Sequence, residues 1–384
     1  MSILATSGIH GIHGIHGIHG IHGIHGIHGI HGIHGIHGIH GSGASPASAA
    51  ALGQTAEALM GFWDGTVPVP PATTGDELQR LMRLDAYPRA SVLAYEGMSL
   101  FSVRPGADPA KLVRTESDLI SLTPPTSETI AAQMPELRAA MDLRADRLGE
   151  ILAQAEDFTG FFAAQMPIGA IRRPHTAQLL AALHDTVVAQ EQRMKHLCSV
   201  RRPVDLSPQI QPVISTPGHS AYPSGHATEA FAFATLLAAF RLYADGVPPA
   251  KLVATLHEKL APASESAPVT DPVILLFRLA ARIADNRTVA GVHYPVDSAH
   301  GGLLGHSIAL AFISHCLGGG SDHAVREWKA DANAWSGDFT LRKWCAALHG
   351  SGGENWDAGT TTVAEAKDWH VLPPLWRAAL AEWR

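Results

Sequence analysis

The sequence predicts an all-α protein built from helix bundles. Beyond about residue 50, most segments carry apolar residues three and four positions apart, which is the period of an amphipathic helix. Alternation typical of strands is scarce, and only residues 91–103 suggest a short hairpin or an extended arm. With 384 residues, 46% of them hydrophobic and 16% charged, the chain can bury a sizeable core.

The N-terminal segment has a different composition. From Gly8 to His40 the tripeptide Gly-Ile-His repeats eleven times, and a stretch rich in Ser, Ala, Gly and Pro follows. A segment in which one residue in three is glycine cannot build a core, so we predict a disordered tail over residues 1–45 and a single helical domain over 46–384. Regularly spaced imidazoles can gather round zinc, nickel or copper. A low-complexity expansion without a function is the interpretation that we favour.

The helical pattern is clearest over residues 136–162, where Leu137, Met141 and Leu148 recur at helical spacing. The same reasoning predicts further helices over 175–202, 227–243, 249–260, 272–284, 295–316, 339–348 and 375–384. Segments rich in proline and glycine predict loops at 66–75, 203–223 and 261–271.

Three separated fragments together contain the groups needed to bind a tetrahedral oxyanion. They read KHLCSVRRP at 195–203, PSGH at 223–226 and RTVAGVHYPVD at 287–297. Burying such an ion requires several fixed cations and neutral donors. The cations are Lys195, Arg202 and Arg287. Ser224 offers a hydroxyl group, and Gly225 offers a backbone N–H that an anion can approach closely. His226 and His293 are then available for acid–base catalysis, for nucleophilic attack or for coordination of the central atom.

The spacing of these residues predicts one site. Lys195 and Arg202 are seven residues apart, close to two helical turns, and so share one face of the predicted helix over 175–202. The apolar run that follows the second fragment places Ser224 and Gly225 at a helix N-terminus, where N–H groups are free. In the third fragment Asp297 lies about one turn from His293, so its carboxylate can hold the imidazole in one tautomer.

This arrangement resembles the superfamily shared by vanadium-dependent haloperoxidases, type 2 phosphatidic acid phosphatases and soluble class A acid phosphatases. Its signature is Lys, six residues, Arg-Pro; then Pro-Ser-Gly-His; then Ser-Arg, five residues, His, three residues, Asp. The chain departs from it only at Asn286, where the family usually has serine. Three motifs in order are a specific signal, and the resemblance implies the helix-bundle fold of the haloperoxidase/acid phosphatase type.

The resemblance is closest to the haloperoxidases of the bromoperoxidase type. Tyr222 precedes the second motif, and Ala227 and Thr228 follow it, as in haloperoxidases. The residue seven positions before His226 also differs between the haloperoxidases: algal bromoperoxidases tend to have His there, and fungal chloroperoxidases tend to have Phe. This chain has His219 at that position. The 59 residues between the second and third motifs are also more than phosphatases usually have.

The resemblance implies a role for each matched residue. His293 would bind the vanadium of a vanadate cofactor, while Lys195, Arg202, Arg287, Ser224 and Gly225 would hold its oxygens. His226 would be the acid–base catalyst, Asp297 would orient His293, and His219 would tune the halide site. The implied reaction is the oxidation of a halide, with bromide favoured, by hydrogen peroxide to hypohalous acid, which halogenates a small organic acceptor.

Two other functions stay open at this point. A soluble acid phosphatase would use the same residues, with His293 as the nucleophile that forms a phosphohistidine and His226 protonating the leaving alcohol. A metal-binding or storage protein would act through the histidine tail. Deleting residues 1–45 separates this third function from the two enzymes, because only the chelator depends on the tail.

Composition excludes several other classes. The apolar runs are shorter than the ~20 residues that a membrane span needs, so we expect a soluble protein. A net charge of −7 without a basic stripe argues against a nucleic-acid partner. Cys198, Cys316 and Cys345 lack metal-ligand spacing and predict buried free thiols.

The N-terminus lacks the pattern of a signal peptide, which favours a cytoplasmic location, and the family resemblance favours a homo-oligomer.

Overall fold

The computed structural model describes residues 53–58, 66, 75–107, 110–261, 270–351 and 354–384. The predicted tail over 1–45 lies outside these residues. The chain divides into two units, residues 3–92 and 93–384. The predicted domain boundary at residue 45 stays a prediction, because residues on both sides of it lie outside the described ranges. All three motifs lie in the second unit.

Residues 53–58 are helical, and the numbered helices begin after residue 75. Helix α1 spans Glu77–Met82 and begins where the Asp76 carboxylate accepts a hydrogen bond from the N–H of Gln79 at 2.8 Å. Helix α2 spans Ala86–Ser99. The predicted strand or extended arm over 91–103 is therefore wrong for most of its length, because the buried positions Leu93, Ala94 and Gly97 have helical spacing.

A five-stranded sheet, which we did not predict, lies in the second unit. Strands β1 (Ser102–Pro105), β2 (Lys111–Arg114) and β3 (Asp118–Thr123) pair antiparallel in chain order. Strand β4 (Val325–Asp331) then adds parallel to β3, and β5 (Asp357–Thr361) pairs antiparallel with β4. Two of these strands come about 200 residues after the others in the chain, so no local pattern foretells their pairing.

Helices make up the rest of the second unit, and the prediction of a mainly α-helical fold is confirmed. They are α3 (Ser127–Ala140), α4 (Arg144–Glu156), α5 (Thr159–Gln165), α6 (Pro174–Cys198), α7 (Pro203–Leu206), α8 (Gly225–Ala244), α9 (Leu252–Lys259), α10 (Pro272–Val289), α11 (Pro295–Leu317), α12 (Leu341–Leu348) and α13 (Leu372–Ala381).

Most of the predicted helices lie within five residues of the observed bounds, and two differences change the description of the fold. The stretch 136–162 is divided among α3, α4 and α5, with a 3₁₀ turn over Met141–Leu143 between the first two. The helix predicted over 175–202 ends at Cys198, because Ser199 takes a left-handed conformation with φ of 51°. Arg202 therefore lies outside the helix of Lys195, where a following proline favours extended backbone.

The core is built round α8, which packs against α11, α10 and α6. Helix α11 approaches the first turns of α8 through glycines. A Cβ atom on Gly301 would lie 2.5 Å from the carbonyl oxygen of Ser224, and one on Gly305 would overlap the carbonyl oxygen of Thr228. Only glycine allows two helix backbones to approach this closely.

Helix α8, Gly225–Ala244, is long and apolar enough to cross a membrane by length and composition alone. It is the only such helix in the described ranges, and 78% of its most apolar window is buried inside the protein. The same burial accounts for its apolar composition as a core helix. Of the three cysteines, Cys316 and Cys345 are buried as predicted, whereas Cys198 is partly exposed.

Replacing Gly305 with alanine tests the close approach of α8 and α11. The added methyl group would force the two backbones apart, so we expect Gly305→Ala to lower the free energy of unfolding by at least about 2 kcal/mol. Gly149 is the matched control, since it is exposed in α4 with no atom within 4 Å of the added Cβ. Gly149→Ala should stabilise by about 0.5–1 kcal/mol. Equal effects in urea unfolding would contradict the close approach.

Candidate functional site

Lys195 is a buried cation on the last turns of α6, with 1% of its surface exposed. Its ammonium group donates to the carbonyl oxygen of Ser220 at 3.2 Å and to that of Pro223. Burial lowers the pKa of Lys195 to about 8, while the nearby Glu191 carboxylate raises it. Lys195 therefore attaches α6 to the loop that leads into the second motif.

Arg202 reaches the same loop from a different element. Its Nε donates to the carbonyl oxygen of His219 at 3.0 Å, and its Nη1 to that of Val292 at 2.7 Å. The shared helix face predicted for Lys195 and Arg202 is wrong, because α6 ends before Arg202. Both cations nevertheless bind the loop over 219–223, and so they lie at one site.

Arg287 lies near the end of α10 and is 1% exposed. Its Nη2 donates to the carbonyl oxygen of Ile151 at 3.2 Å and to Oε1 of Gln154 at 3.3 Å. Asn286, the departure from the motif, donates to the same Gln154 oxygen at 2.9 Å. Asn286 thus helps to orient Gln154, which in turn positions the guanidinium of Arg287.

Ser224 and Gly225 form the N-terminus of α8, as the sequence predicts. The Ser224 side chain is the N-cap and accepts from the N–H of Ala227 at 3.5 Å, which leaves its hydroxyl proton available to a ligand. Its backbone N–H donates to the carbonyl oxygen of Asp297 at 2.9 Å. The first N–H groups of a helix have no partner within the helix, so this end suits an anion.

His293 and Asp297 lie together, with Nδ1 of His293 donating to Oδ2 of Asp297 at 3.0 Å. The N–H of Tyr294 donates to the same oxygen at 3.0 Å. Burial lowers the pKa of His293 well below its ordinary 6.5, and the positive charges of Arg202 and Lys195 lower it further. The imidazole is therefore neutral, and its Nε2 carries the lone pair, which accepts from Nη1 of Arg202 at 3.1 Å.

Two further histidines, His226 of the second motif and His219 in the loop before it, border the site. His226 follows Gly225 in the first turn of α8, and its Nε2 donates to the carbonyl oxygen of Gln154 at 3.2 Å. Burial and the charge of Arg287 lower the pKa of His226 to about 4. His219 is exposed, and its Nδ1 accepts from Nη2 of Arg202 at 3.1 Å.

The hydrogen bonding of the three cations fits a bound oxyanion. Lys195, Arg202 and Arg287 donate to backbone carbonyls and neutral side chains rather than to carboxylates. Nε and Nη1 of Arg287 are buried without a partner in the described part of the chain. A buried guanidinium with unused donors is costly unless an acceptor fills the space beside it. A tetrahedral anion with negatively charged oxygens would supply those acceptors.

Sequence reasoning missed three polar residues that support this site: Gln154, Glu191 and Glu229. Gln154 carries no motif signal. Glu191 precedes Lys195 by four residues, and this helical spacing alone indicated a shared face. Oε2 of Glu229 lies 3.0 Å from Nε2 of His184 on α6. The packing of α6 against α8 brings these two residues together, and their spacing in the sequence gives no sign of it.

A second cluster of possible metal ligands contains Glu96, His315 and His370, whose ligand atoms all lie within 4.8 Å of one another. Glu96 already accepts from Nε2 of His315 and from two N–H groups at the start of α13. Nδ1 of His370 accepts from the N–H of Lys367 at 2.7 Å, so the ring proton lies on Nε2. These bonds give the cluster a structural role at a helix end.

The tautomer of His293 is open to direct measurement. Because burial and two cations depress its pKa, we expect His293 to stay neutral, with Nδ1 protonated, between pH 5 and 8. ¹H–¹⁵N correlation spectra of histidine-labelled protein measure this, and the resonances missing from His293→Ala assign it. Titration of those resonances near pH 6.5 would contradict the neutral assignment.

Comparison with known proteins agrees with this geometry. Residues 176–317 match the model of the PAP2 superfamily. The matched segment runs from α6 to α11 and contains all three motifs, with the three cations and with His219, His226 and His293. No curated protein matches the chain. Residues 176–317 therefore form a PAP2 superfamily domain, and members of that superfamily are typically enzymes, phosphatases or haloperoxidases.

Proposed function

We propose that this protein is a vanadate-dependent haloperoxidase that oxidises a halide, with bromide favoured, by hydrogen peroxide. The observation that carries the proposal is the set of three buried cations, of which Arg287 has two unused donors, together with a neutral His293. Vanadate requires both features, since its oxygens need positive partners and its metal needs a nitrogen lone pair. The exposed His219, in contact with Arg202, favours the haloperoxidase branch.

The residues that would hold vanadate divide into two groups. His293 would bind the vanadium atom through Nε2 once Nη1 of Arg202 turns from that nitrogen to an anion oxygen. Asp297 keeps Nε2 unprotonated by accepting the Nδ1 proton. Lys195, Arg202, Arg287, Ser224 and Gly225 would bind the oxygens. When bound, vanadate supplies a Lewis acid that polarises hydrogen peroxide without changing its own oxidation state.

The chain's own residues provide charge and a proton. The halide loses two electrons to the peroxide, and one proton is consumed when hypohalous acid and water form. His226 lies next to the anion-binding N-terminus of α8 and can carry this proton. Its pKa of about 4 applies to the site without an anion, and a negative ligand beside it would raise that value. The partners in this proposal are peroxide, halide and a small organic acceptor, with the protein in solution as a homo-oligomer.

A soluble acid phosphatase is the second candidate, because the neutral His293 also suits nucleophilic attack. In that reaction Nε2 of His293 would form a bond to phosphorus while the ester oxygen leaves with a proton from His226. Water would then cleave the phosphohistidine. The PAP2 superfamily match accommodates both reactions.

Parallel assays of the purified protein separate the two enzymes. We expect bromination of a phenol indicator in the presence of orthovanadate, bromide and peroxide, with negligible hydrolysis of p-nitrophenyl phosphate by vanadate-free protein. Phosphate release that vanadate inhibits, without bromination, would make the protein a phosphatase. The absence of both activities, together with no binding of either anion, would remove the proposed site.

Exchanging the two histidines for alanine tests their separate roles. His293→Ala should weaken orthovanadate binding by at least about 100-fold, because the lone pair that would bind the metal is lost. His226→Ala should leave the affinity within about threefold but slow turnover by about 10²-fold or more.

The adjacent control is His196→Ala, since His196 is exposed beside Lys195 and should alter neither quantity. Isothermal titration calorimetry measures affinity and the bromination assay measures turnover. Equal losses of affinity in His226→Ala and His293→Ala would contradict the division of roles.

A further inference from the structure

Glu191 places a carboxyl group beside the anion-binding end of α8. It lies one helical turn before Lys195 on α6, and it is 2% exposed. A Cβ atom on Gly225 would lie 2.8 Å from Oε1 and 3.0 Å from Oε2 of Glu191. The absence of a side chain on Gly225 is therefore what makes room for this carboxyl group, next to the N–H that would bind the anion.

The Glu191 carboxyl group is only partly used by the protein. Oε1 accepts from Nε2 of Gln192 at 3.0 Å, whereas Oε2 is buried without a partner in the described residues. The nearest cation, Lys195, directs its hydrogen bonds to Ser220 and Pro223 instead. A buried carboxyl oxygen without a partner is costly, so a hydrogen-bond partner from the ligand would stabilise the site.

The charges around Glu191 favour its protonated form when the site is empty. Burial and, to a smaller extent, the Glu229 carboxylate on α8 raise the pKa of Glu191 to about 8. Lys195 and His184 on its own helix lower it, as does the hydrogen bond from Gln192. Arg202 is a further cation within electrostatic range.

A carboxylate and an oxyanion repel each other unless a proton lies between them. Phosphate retains one proton as the hydrogen phosphate dianion at pH 8 to 9, and vanadate is likewise protonated. Sulfate has the same shape and charge as hydrogen phosphate but carries no proton. A site with one unpartnered carboxyl oxygen can therefore distinguish these anions by their protons.

We propose that Glu191 accepts a hydrogen bond from a protonated oxygen of the bound anion, so that carboxyl group and anion share one proton. The proposal rests on the oxyanion site described above and adds a specificity for hydrogen-bearing tetrahedral oxyanions. The anion brings its own proton when Glu191 is ionised. An anion without a proton binds only after the Glu191 carboxylate has taken up a proton from solution.

The test compares inorganic phosphate and sulfate with the full-length protein. Dissociation constants are measured by isothermal titration calorimetry from pH 7.5 to 9.5, and the sulfate constant is divided by the phosphate constant. This ratio cancels the loss of charge on Lys195, which affects both dianions alike. We expect the ratio to rise about tenfold for each pH unit above the pKa of Glu191.

Two variants complete the design. Glu191→Gln keeps the shape of the side chain but has no titrating proton, so its ratio should stay within about twofold over the whole range. Glu229→Gln is the matched control, since Glu229 is a neighbouring, partly buried carboxylate already paired with His184. In Glu229→Gln the ratio of the sulfate to the phosphate dissociation constant should still rise with pH. The rise should begin at a lower pH, because the negative charge that helps to raise the pKa of Glu191 has been removed.

The outcomes separate this proposal from the proposed function. A flat ratio in the unmodified protein overturns the role of Glu191, and this holds even if Glu191→Gln does not fold. The same rise in Glu191→Gln as in the unmodified protein also overturns it. Failure of the unmodified protein to bind either anion removes the oxyanion site itself, and with it the proposed function.

Discussion

The close contact between α11 and the first turns of α8 is the constraint on which the candidate site depends. Gly301 and Gly305 allow the two backbones to approach, and the Ser224 N–H then reaches the carbonyl oxygen of Asp297 at 2.9 Å. This single hydrogen bond joins the second motif to the third. The anion-binding helix end is thereby held next to His293, and larger side chains at the contact would separate the two.

Buried positive charge is the second determinant of the site, and its cost must be offset. Lys195, Arg202 and Arg287 are each at most 3% exposed. Backbone carbonyls and Gln154 satisfy some of their donors, which holds each cation in place, and their charges act on His226 and His293. In the proposed site an anion would complete the arrangement, and the Glu191 carboxyl group would favour an anion that carries a proton. The same groups that hold the cations in place would therefore define what the site binds.

Local patterns were a good guide to the helices and to the motif residues. The positions of α8, α10 and α11 follow from apolar period, proline at the first turn and the Ser224 cap, since these depend on neighbours in the chain. The predictions were wrong where tertiary contacts decide conformation. Ser199 ends α6 early, residues 91–99 are helical, and β3 pairs with β4 across some 200 residues. Such pairing depends on partners that no sequence window contains.

The sequence by itself determined the chemistry available: three cations, a capped helix end with glycine, and two histidines in an order typical of one superfamily. Tertiary structure alone decided that Arg202 reaches the site from outside α6, that Gln154 orients Arg287, and that Glu191 lies against Gly225. The physical reason is that the spacing of a motif indicates only interactions between residues that are close in the sequence. Burial, the partnering of polar atoms and the resulting pKa shifts depend on which elements pack together.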